Sequence, residues 1–133
     1  MTTHAVGTFE VKLSPLAQDS SPEFANLGRM SIDKQFHGDL EAVSKGQMLT
    51  AGTTIKSSAG YVAIERVQGT LHGRKGAFVL QHSGSMRRGT PQLAITVVPD
   101  SGTGELVGLS GTMSITTPSQ GKRSYDFEYE FAK

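Results

Sequence analysis

The stretch GAFVLQHSGSM, residues 76–86, places a histidine within the pattern of a β-strand. Side chains alternate between the two faces of a strand, so Phe78, Leu80 and His82 point the same way. If Phe78 and Leu80 face a core, an imidazole occupies the position where a third apolar side chain is expected. Such a histidine either serves acid–base chemistry near neutral pH or is paired with a polar neighbour for structural reasons.

Glu65 is the candidate partner of His82. It lies in the preceding alternating stretch, GYVAIERVQGTL. A two-residue turn at Arg74-Lys75 would place Glu65 opposite Gly84, one diagonal step from His82 on the same face of the sheet. A three-residue turn would shift the register and separate the two groups.

Two interpretations of this pair stay open at the level of the sequence. A carboxylate beside an imidazole in a pocket of low dielectric constant is suited to general acid–base catalysis. The same two groups can instead satisfy each other inside the protein, because buried charges are normally paired. Tyr61 is expected on the same inward face as Glu65.

Other chemistry is poorly supported by the motifs. The four histidines, His4, His37, His72 and His82, show neither HxH nor HExxH spacing, so we predict no metal site and no cofactor. The stretch DSGTGELVG is neither a Walker nor a dinucleotide-binding sequence and is interpreted as a tight turn between strands. Ser83 lacks the GxSxG context of a serine nucleophile.

Basic residues are predicted to gather at one end of the fold. In an up-and-down sheet, successive loops alternate between the two ends, so the segments 14–27, 51–58, 87–91 and 118–122 share one end. That end would carry a basic rim made of Lys56, Arg87, Arg88, Lys122 and Arg123. The rim would attract an anionic ligand, with residues 14–27 as a lid, or its charges would serve solubility alone.

The elements that position these groups are strands. Alternation is clearest in SYDFEYEFA, and about eight such stretches are joined by short Gly-rich turns. We therefore predict an all-β fold, a closed up-and-down antiparallel barrel of about eight strands, with a β-sandwich as the alternative. One short helical turn is expected in the 14–27 segment, where Ser21 would cap it. Residues 1–133 are expected to form one domain.

Composition excludes several classes of protein. The 133 residues carry 13 Lys and Arg against 12 Asp and Glu, which is too even for a nucleic-acid-binding protein. The absence of Cys removes disulfides and thiolate chemistry. No signal peptide or membrane-length apolar stretch is visible, so we expect a cytoplasmic protein that binds neither nucleic acid nor membranes.

The sequence also resembles a known family. The stretches GYVAIERVQGTLHGRKGAFVLQHSG and VVPDSGTGELVGLSG are similar to a family of small bacterial proteins described as a domain of unknown function, and the similarity extends over nearly the whole chain. That family in turn resembles allene oxide cyclase in its closed eight-stranded barrel. This resemblance implies an interior cavity suited to an apolar carboxylate and a tendency to self-associate. The family often has His where this chain has Arg123.

We therefore predict a barrel that binds a small apolar or amphipathic, possibly anionic molecule. Glu65 and His82 would form its polar anchor, and the wall would be made of Tyr61, Phe78, Leu80, Tyr125 and Tyr129. One alternative is a cofactor-independent isomerase or cyclase in which Glu65 and His82 are the acid–base pair. A second alternative is an oligomeric structural protein with a packed interior. A homodimer is expected from the commonest symmetry of oligomers.

Overall fold

The strands were located in a computed structural model that describes residues 2–17, 22–117 and 122–132. Nine β-strands and one 3₁₀ turn are present in these ranges. They are β1 (Thr3–Pro15), the 3₁₀ turn (Pro22–Phe24), β2 (Leu27–Gly38), β3 (Leu40–Gly52), β4 (Ala59–Leu71), β5 (Arg74–Arg87), β6 (Thr90–Val97), β7 (Thr103–Gly104), β8 (Leu109–Thr116) and β9 (Arg123–Phe131).

Eight of these strands close into a barrel. The strand order is β4-β3-β2-β1-β9-β8-β6-β5, and an additional β4–β5 pairing joins the two ends. Neighbouring strands in this ring all pair in the antiparallel direction. The two-residue β7 lies outside this ring, against Gly76 and Ala77 of β5. The predicted closed up-and-down barrel is confirmed, and its weakest seam is between β6 and β8, which pair only at Thr96 and Thr112 in the described residues.

The short helical turn expected in the 14–27 segment is present as the 3₁₀ turn Pro22–Phe24, and its predicted cap, Ser21, lies outside the described residues. One strand is shorter than the sequence predicts. The strand expected from Glu105 begins only at Leu109. Residues 105–108 form a turn in which Leu106 is buried and Gly108 has a φ of 87°, a conformation that favours glycine.

The turn between β4 and β5 was predicted at the wrong residues. Leu71 pairs with Arg74, so the two turn residues are His72 and Gly73, not Arg74 and Lys75. Both have positive φ, 47° and 80°, as a type I′ turn requires. Glycine adopts this conformation without steric cost, whereas Arg-Lys would place two Cβ atoms in the left-handed region. The true register pairs Glu65 with Leu80 and His82 with Ala63.

The interior of the barrel is divided along its length. The end that carries the turns at Asp39 and His72-Gly73, here called the closed end, is filled by a continuous apolar core that includes Phe36, Phe78 and Phe127. At the other end, here called the mouth, inward-facing side chains such as Met86 and Leu93 remain 41% and 43% exposed. The barrel is therefore packed at one end and open at the other.

Candidate functional site

A buried cluster of polar side chains lies where the packed and open parts of the interior meet. Glu65 of β4 is fully buried, and Ser44 of β3, Lys34 of β2 and His82 of β5 are almost completely buried around it. One carboxylate oxygen of Glu65 accepts hydrogen bonds from Lys34 Nζ at 2.9 Å and from His82 Nε2 at 2.5 Å. The other accepts from Ser44 Oγ at 2.7 Å. Side chains from three other strands, β2, β3 and β5, thus donate hydrogen bonds to the Glu65 carboxylate.

The surroundings of Glu65 keep it ionised. Burial alone would raise the pKa of this carboxyl group, but the hydrogen bond from His82 and the positive charge of Lys34 outweigh burial and lower the pKa to about 2. Lys34 is also held over the rings of Phe9 and Phe36, with Nζ 5.2 and 5.3 Å from their centroids. The cluster therefore contains a fixed negative charge with a fixed positive charge beside it.

This arrangement determines which nitrogen of His82 is available. Because an ionised carboxylate only accepts hydrogen bonds, Nε2 of His82 carries the proton that it donates to Glu65. Nδ1 makes no hydrogen bond to a described residue, and no buried side-chain nitrogen or oxygen in the described residues lacks a partner. Nδ1 is therefore reached by solvent. The interior on the closed-end side of His82 is filled, so that access comes from the mouth.

The predicted proximity of Glu65 and His82 is found, although the predicted register was wrong. In the true register Glu65 pairs with Leu80, so it is again one diagonal step from His82. The predicted partner, Gly84, lies on the opposite side of His82 along β5. The actual turn lies two residues earlier in the chain than the predicted turn. Because this shift is even, the side chains of Glu65 and His82 still point into the barrel. Lys34 and Ser44 were not predicted from the sequence. Lys34 could have been found, because it alternates with the buried residues Ile32 and Phe36.

Next to the cluster, on the mouth side, lies a cavity of 440 Å³. Its inward-facing lining includes Met48, Thr50, Ala59, Tyr61, Gly84 and Met86, and it is called the mouth cavity below. The lining is mainly apolar. A cavity of this size falls in the range of small-molecule sites.

Tyr61 lines the mouth cavity, and the His82 ring lies beside it, further from the opening. Their ring centroids are 6.4 Å apart, and the Tyr61 ring lies so close to Gly84 that a Cβ there would collide with it. Burial and the negative charge of Glu65 raise the pKa of Tyr61, so its hydroxyl stays protonated at neutral pH. That hydroxyl makes no hydrogen bond to a described residue. It is a donor available to a molecule in the cavity.

The other predicted wall residues lie elsewhere. Phe78, Leu80, Tyr125 and Tyr129 are all buried within the packed core. Phe78 stacks on Phe127 with ring centroids 5.6 Å apart. The Tyr125 hydroxyl donates to the carbonyl oxygen of His37 at 2.9 Å and so ties down the β2–β3 turn. Of the aromatic residues predicted to form the wall, Tyr61 is the one that borders the mouth cavity.

The predicted basic rim is divided into two groups. The N–H of Arg88 donates to Ser58 Oγ at 3.0 Å, which brings the 88–89 turn against the loop that carries Lys56. Arg88 and Lys56 thus lie on adjoining loops at the mouth, whereas Arg87, next to Arg88, lines a separate concavity with Ser85 and Gln92. None of the three forms an ion pair with a described residue. Lys122 and Arg123 lie at the start of β9, which is three strands from β5 around the barrel.

The 14–27 segment, predicted as a lid, is attached at both ends. Arg29 donates to the carbonyl oxygen of Ala17 at 2.8 Å, and the N–H of Gly52 donates to the carbonyl oxygen of Asn26 at 2.8 Å. Residues 18–21 between these contacts lie outside the described residues. The role of a lid stays a prediction.

The remaining histidines each contact other groups. His4 Nδ1 is 2.7 Å from Asp126 Oδ1, His37 Nε2 is 2.8 Å from Glu10 Oε1, and His72 Nδ1 is 2.5 Å from the Tyr129 hydroxyl. Among residues 2–17, 22–117 and 122–132, no group of three or more His, Cys, Asp or Glu side chains is arranged to hold a metal ion. The same ranges contain no helix with the length and apolarity needed to cross a membrane.

A larger concavity, of 610 Å³, lies on the outer face of the barrel. It is lined by outward-facing side chains that include Leu27, Leu49 and Val62. Glu65 and His82 line neither cavity, but their side chains point into the barrel and so lie on the side of the mouth cavity. The outer concavity is separated from the mouth cavity by the strand wall at Gly60 and Gly84. Its size alone gives it no chemistry, so the mouth cavity is the stronger candidate site.

The geometry places the protein among small closed antiparallel β-barrels with one packed end, one open end and a buried Lys–Glu–His cluster between them. The chain belongs to the DUF3224 family, whose model, described as a protein of unknown function, matches residues 5–129. A solved structure of a DUF3224 protein of unknown function from Shewanella oneidensis MR-1 is similar, with 51% sequence identity and a TM-score of 0.92. The match covers 100% of this chain and 99% of that one. No curated protein matches the sequence.

Proposed function

We propose that the protein binds a small amphipathic molecule with an anionic group in the mouth cavity. The observation that carries this proposal is an apolar cavity of 440 Å³ that ends at Tyr61, in front of a buried cluster that presents an unused imidazole nitrogen. Apolar walls with a few convergent polar groups are typical of small-molecule sites. A barrel that served only as a packed structural unit would need none of these features.

The lining of the cavity is suited to an apolar chain. Met48 and Met86 have unbranched, flexible thioether side chains that adapt to ligands of different shape. Ala59 leaves room where a larger side chain would fill the barrel, whereas the space over Gly84 is taken by the Tyr61 ring. The apolar part of the ligand would lie along these residues, with a polar group near the Tyr61 hydroxyl.

The charge at the rim favours an anion. Arg87 and Arg88 lie at the mouth end of β5, Lys56 lies on the adjoining loop, and none of them forms an ion pair with a described residue. Unpaired cations around an opening raise the local concentration of anions and speed their association. The anionic group of the ligand would therefore stay at the rim, near Lys56 and Arg88.

The barrel resembles that of allene oxide cyclase, and this likeness supports a cavity for an apolar carboxylate. Fold alone does not transfer function, so no residue role is taken from that family. Self-association as a homodimer and a cytoplasmic location, both expected from the sequence, are part of the proposal.

Binding can be tested with decanoate as the probe. We expect decanoate to shift the methyl NMR resonances of Met48 and Met86 in a saturable manner, and Arg87→Glu/Arg88→Glu to weaken binding about tenfold at low salt. Lys45→Glu/Arg66→Glu is the matched control, because it makes the same change of charge on the outer barrel wall. Unchanged methyl resonances would overturn the proposal, and equal effects of the two double variants would remove the rim from it.

A further inference from the structure

Two side chains beside the mouth cavity have a polar atom without a partner in the described residues. One is the Tyr61 hydroxyl and the other is Nδ1 of His82, and their rings are 6.4 Å apart. They lie on adjacent strands, β4 and β5, whose register places Tyr61 opposite Gly84 and His82 opposite Ala63. Both opposing residues are small, and the Tyr61 ring fills the space over Gly84.

The hydrogen bonds that Glu65 accepts do more than offset its negative charge. Lys34 and Ser44 already provide one hydrogen bond to each carboxylate oxygen. The additional bond to His82 Nε2 holds the imidazole in the tautomer whose Nδ1 carries a lone pair. A carboxylate that fixes the tautomer of a histidine in this way is the arrangement found where histidine acts as a base. Glu65 is therefore a positioning residue.

The Tyr61 hydroxyl supplies the complementary function. It remains protonated, because burial and the nearby carboxylate disfavour the phenolate. A neutral donor at this place can hold a carbonyl oxygen and stabilise the negative charge that develops on it. A base and such a donor that face one bound molecule are what is needed to remove a proton from carbon next to a carbonyl group.

We propose that His82 and Tyr61 transfer a proton on a bound carbonyl compound, so that the barrel acts as an isomerase of amphipathic ketones or enones. The inference rests on the proposed binding function and adds a reaction to it. It needs no cofactor, oxidant or co-reactant.

The step balances within the site. Nδ1 of His82 takes the proton from the carbon next to the carbonyl, and the electron pair of that C–H bond forms the C=C bond of an enolate. The C=O π electrons move to the oxygen, which accepts a hydrogen bond from Tyr61. Return of the proton from Nδ1 to the same carbon restores the substrate. When the substrate is a β,γ-unsaturated ketone, return to the γ-carbon instead gives the conjugated α,β-enone.

The experiment uses 5-oxodecanoate as the probe, because it combines an anionic end, an apolar chain and exchangeable hydrogens at C4 and C6. In D₂O, an imidazole that has taken up a proton exchanges it with solvent, so the reaction replaces these hydrogens with deuterium. We expect catalysed loss of the C4 and C6 proton signals in NMR spectra. His82→Asn and Tyr61→Phe are each expected to slow the exchange about 100-fold.

The two variants also control for folding and binding. Tyr61→Phe keeps the ring against Gly84 and removes only the hydroxyl, and both variants are checked by their Met48 and Met86 methyl shifts with decanoate. Exchange that the wild type catalyses and both variants lose supports the inference. Saturable binding of 5-oxodecanoate without exchange, or exchange that both variants retain, overturns the reaction and leaves the binding function intact. Failure of both decanoate and 5-oxodecanoate to bind overturns both proposals.

Discussion

The same strands build two very different interiors at the two ends of the barrel. At the closed end, inward residues such as Phe36 and Phe127 are completely buried and pack on one another. At the mouth, inward residues of the same strands, such as Met86, are about two-fifths exposed and border a cavity. The difference indicates that stability is concentrated at one end, which leaves the other free to hold a ligand. The Lys34–Glu65–His82 cluster lies at the boundary.

The largest expected effect tests the packed end. Phe127→Ala removes a fully buried ring that stacks on Phe78, and we expect it to lower the free energy of unfolding by about 3–5 kcal/mol. Met86→Ala, the matched change at the mouth, should cost less than about 1 kcal/mol because its side chain is already partly in water. Urea unfolding of both variants measures the contrast. Equal losses would mean that the two ends are packed alike.

The Lys34–Glu65–His82 cluster makes the free energy of unfolding depend on pH in the acid range. The pKa of Glu65 is lowered from 4.5 to about 2 by folding, so its contribution is present above pH 4.5 and is lost as the pH falls through about 2. The contribution corresponds to about 3 kcal/mol. Urea unfolding between pH 6 and pH 2 should show this loss.

Variants of the cluster sharpen that measurement. Glu65→Gln should flatten the acid dependence and destabilise the protein at neutral pH by about 3 kcal/mol, because Lys34 is left buried without its counter-charge. Lys34→Met/Glu65→Gln should recover part of this loss. Glu10→Gln, at an exposed carboxylate, is the control. If it matched Glu65→Gln, the cluster would have no special role at the boundary.

A smaller effect is expected from filling the space beside Tyr61. Gly84→Ala places a Cβ against the Tyr61 ring, so the ring must move, at a cost of about 1–3 kcal/mol. Gly60→Ala, on the neighbouring strand, meets its nearest atom at 3.6 Å and should be neutral or slightly stabilising. Thermal unfolding compares the two, and a harmless Gly84→Ala would contradict the position of the Tyr61 ring.

The smallest effect is expected at His4, an exposed residue on the outer surface of the barrel. A hydrogen bond to Asp126 and the charge of that carboxylate raise the pKa of the exposed His4 above 6.5. Its stabilising contribution is therefore present below pH 6.5 and disappears as the pH rises through the raised value. NMR titration of the His4 ring should show a midpoint above 6.5 that falls in Asp126→Asn. An unchanged midpoint would remove Asp126 as the cause.

The sequence predicts those features of the site that depend on local alternation, and it does not predict those that depend on tertiary packing. The inward direction of Glu65 and His82 followed from alternation, and a turn error of two residues did not alter it, because an even shift preserves the face of a strand. Lys34 was missed because a charged residue in a weakly alternating stretch is usually exposed. Phe78, Leu80, Tyr125 and Tyr129 were correctly placed inside. Alternation does not specify whether these residues lie at the packed end or at the open end of the barrel.

By itself the sequence determined the class of fold and the face on which each strand residue lies. Period-two alternation and short Gly-rich turns are local properties, and together they specify an antiparallel meander. Only the tertiary structure decided the β4–β5 register, the meeting of Lys34, Ser44, Glu65 and His82, and the end of the barrel that stays open. The physical reason is that these features depend on contacts between strands and on the packing of side chains across the closed barrel.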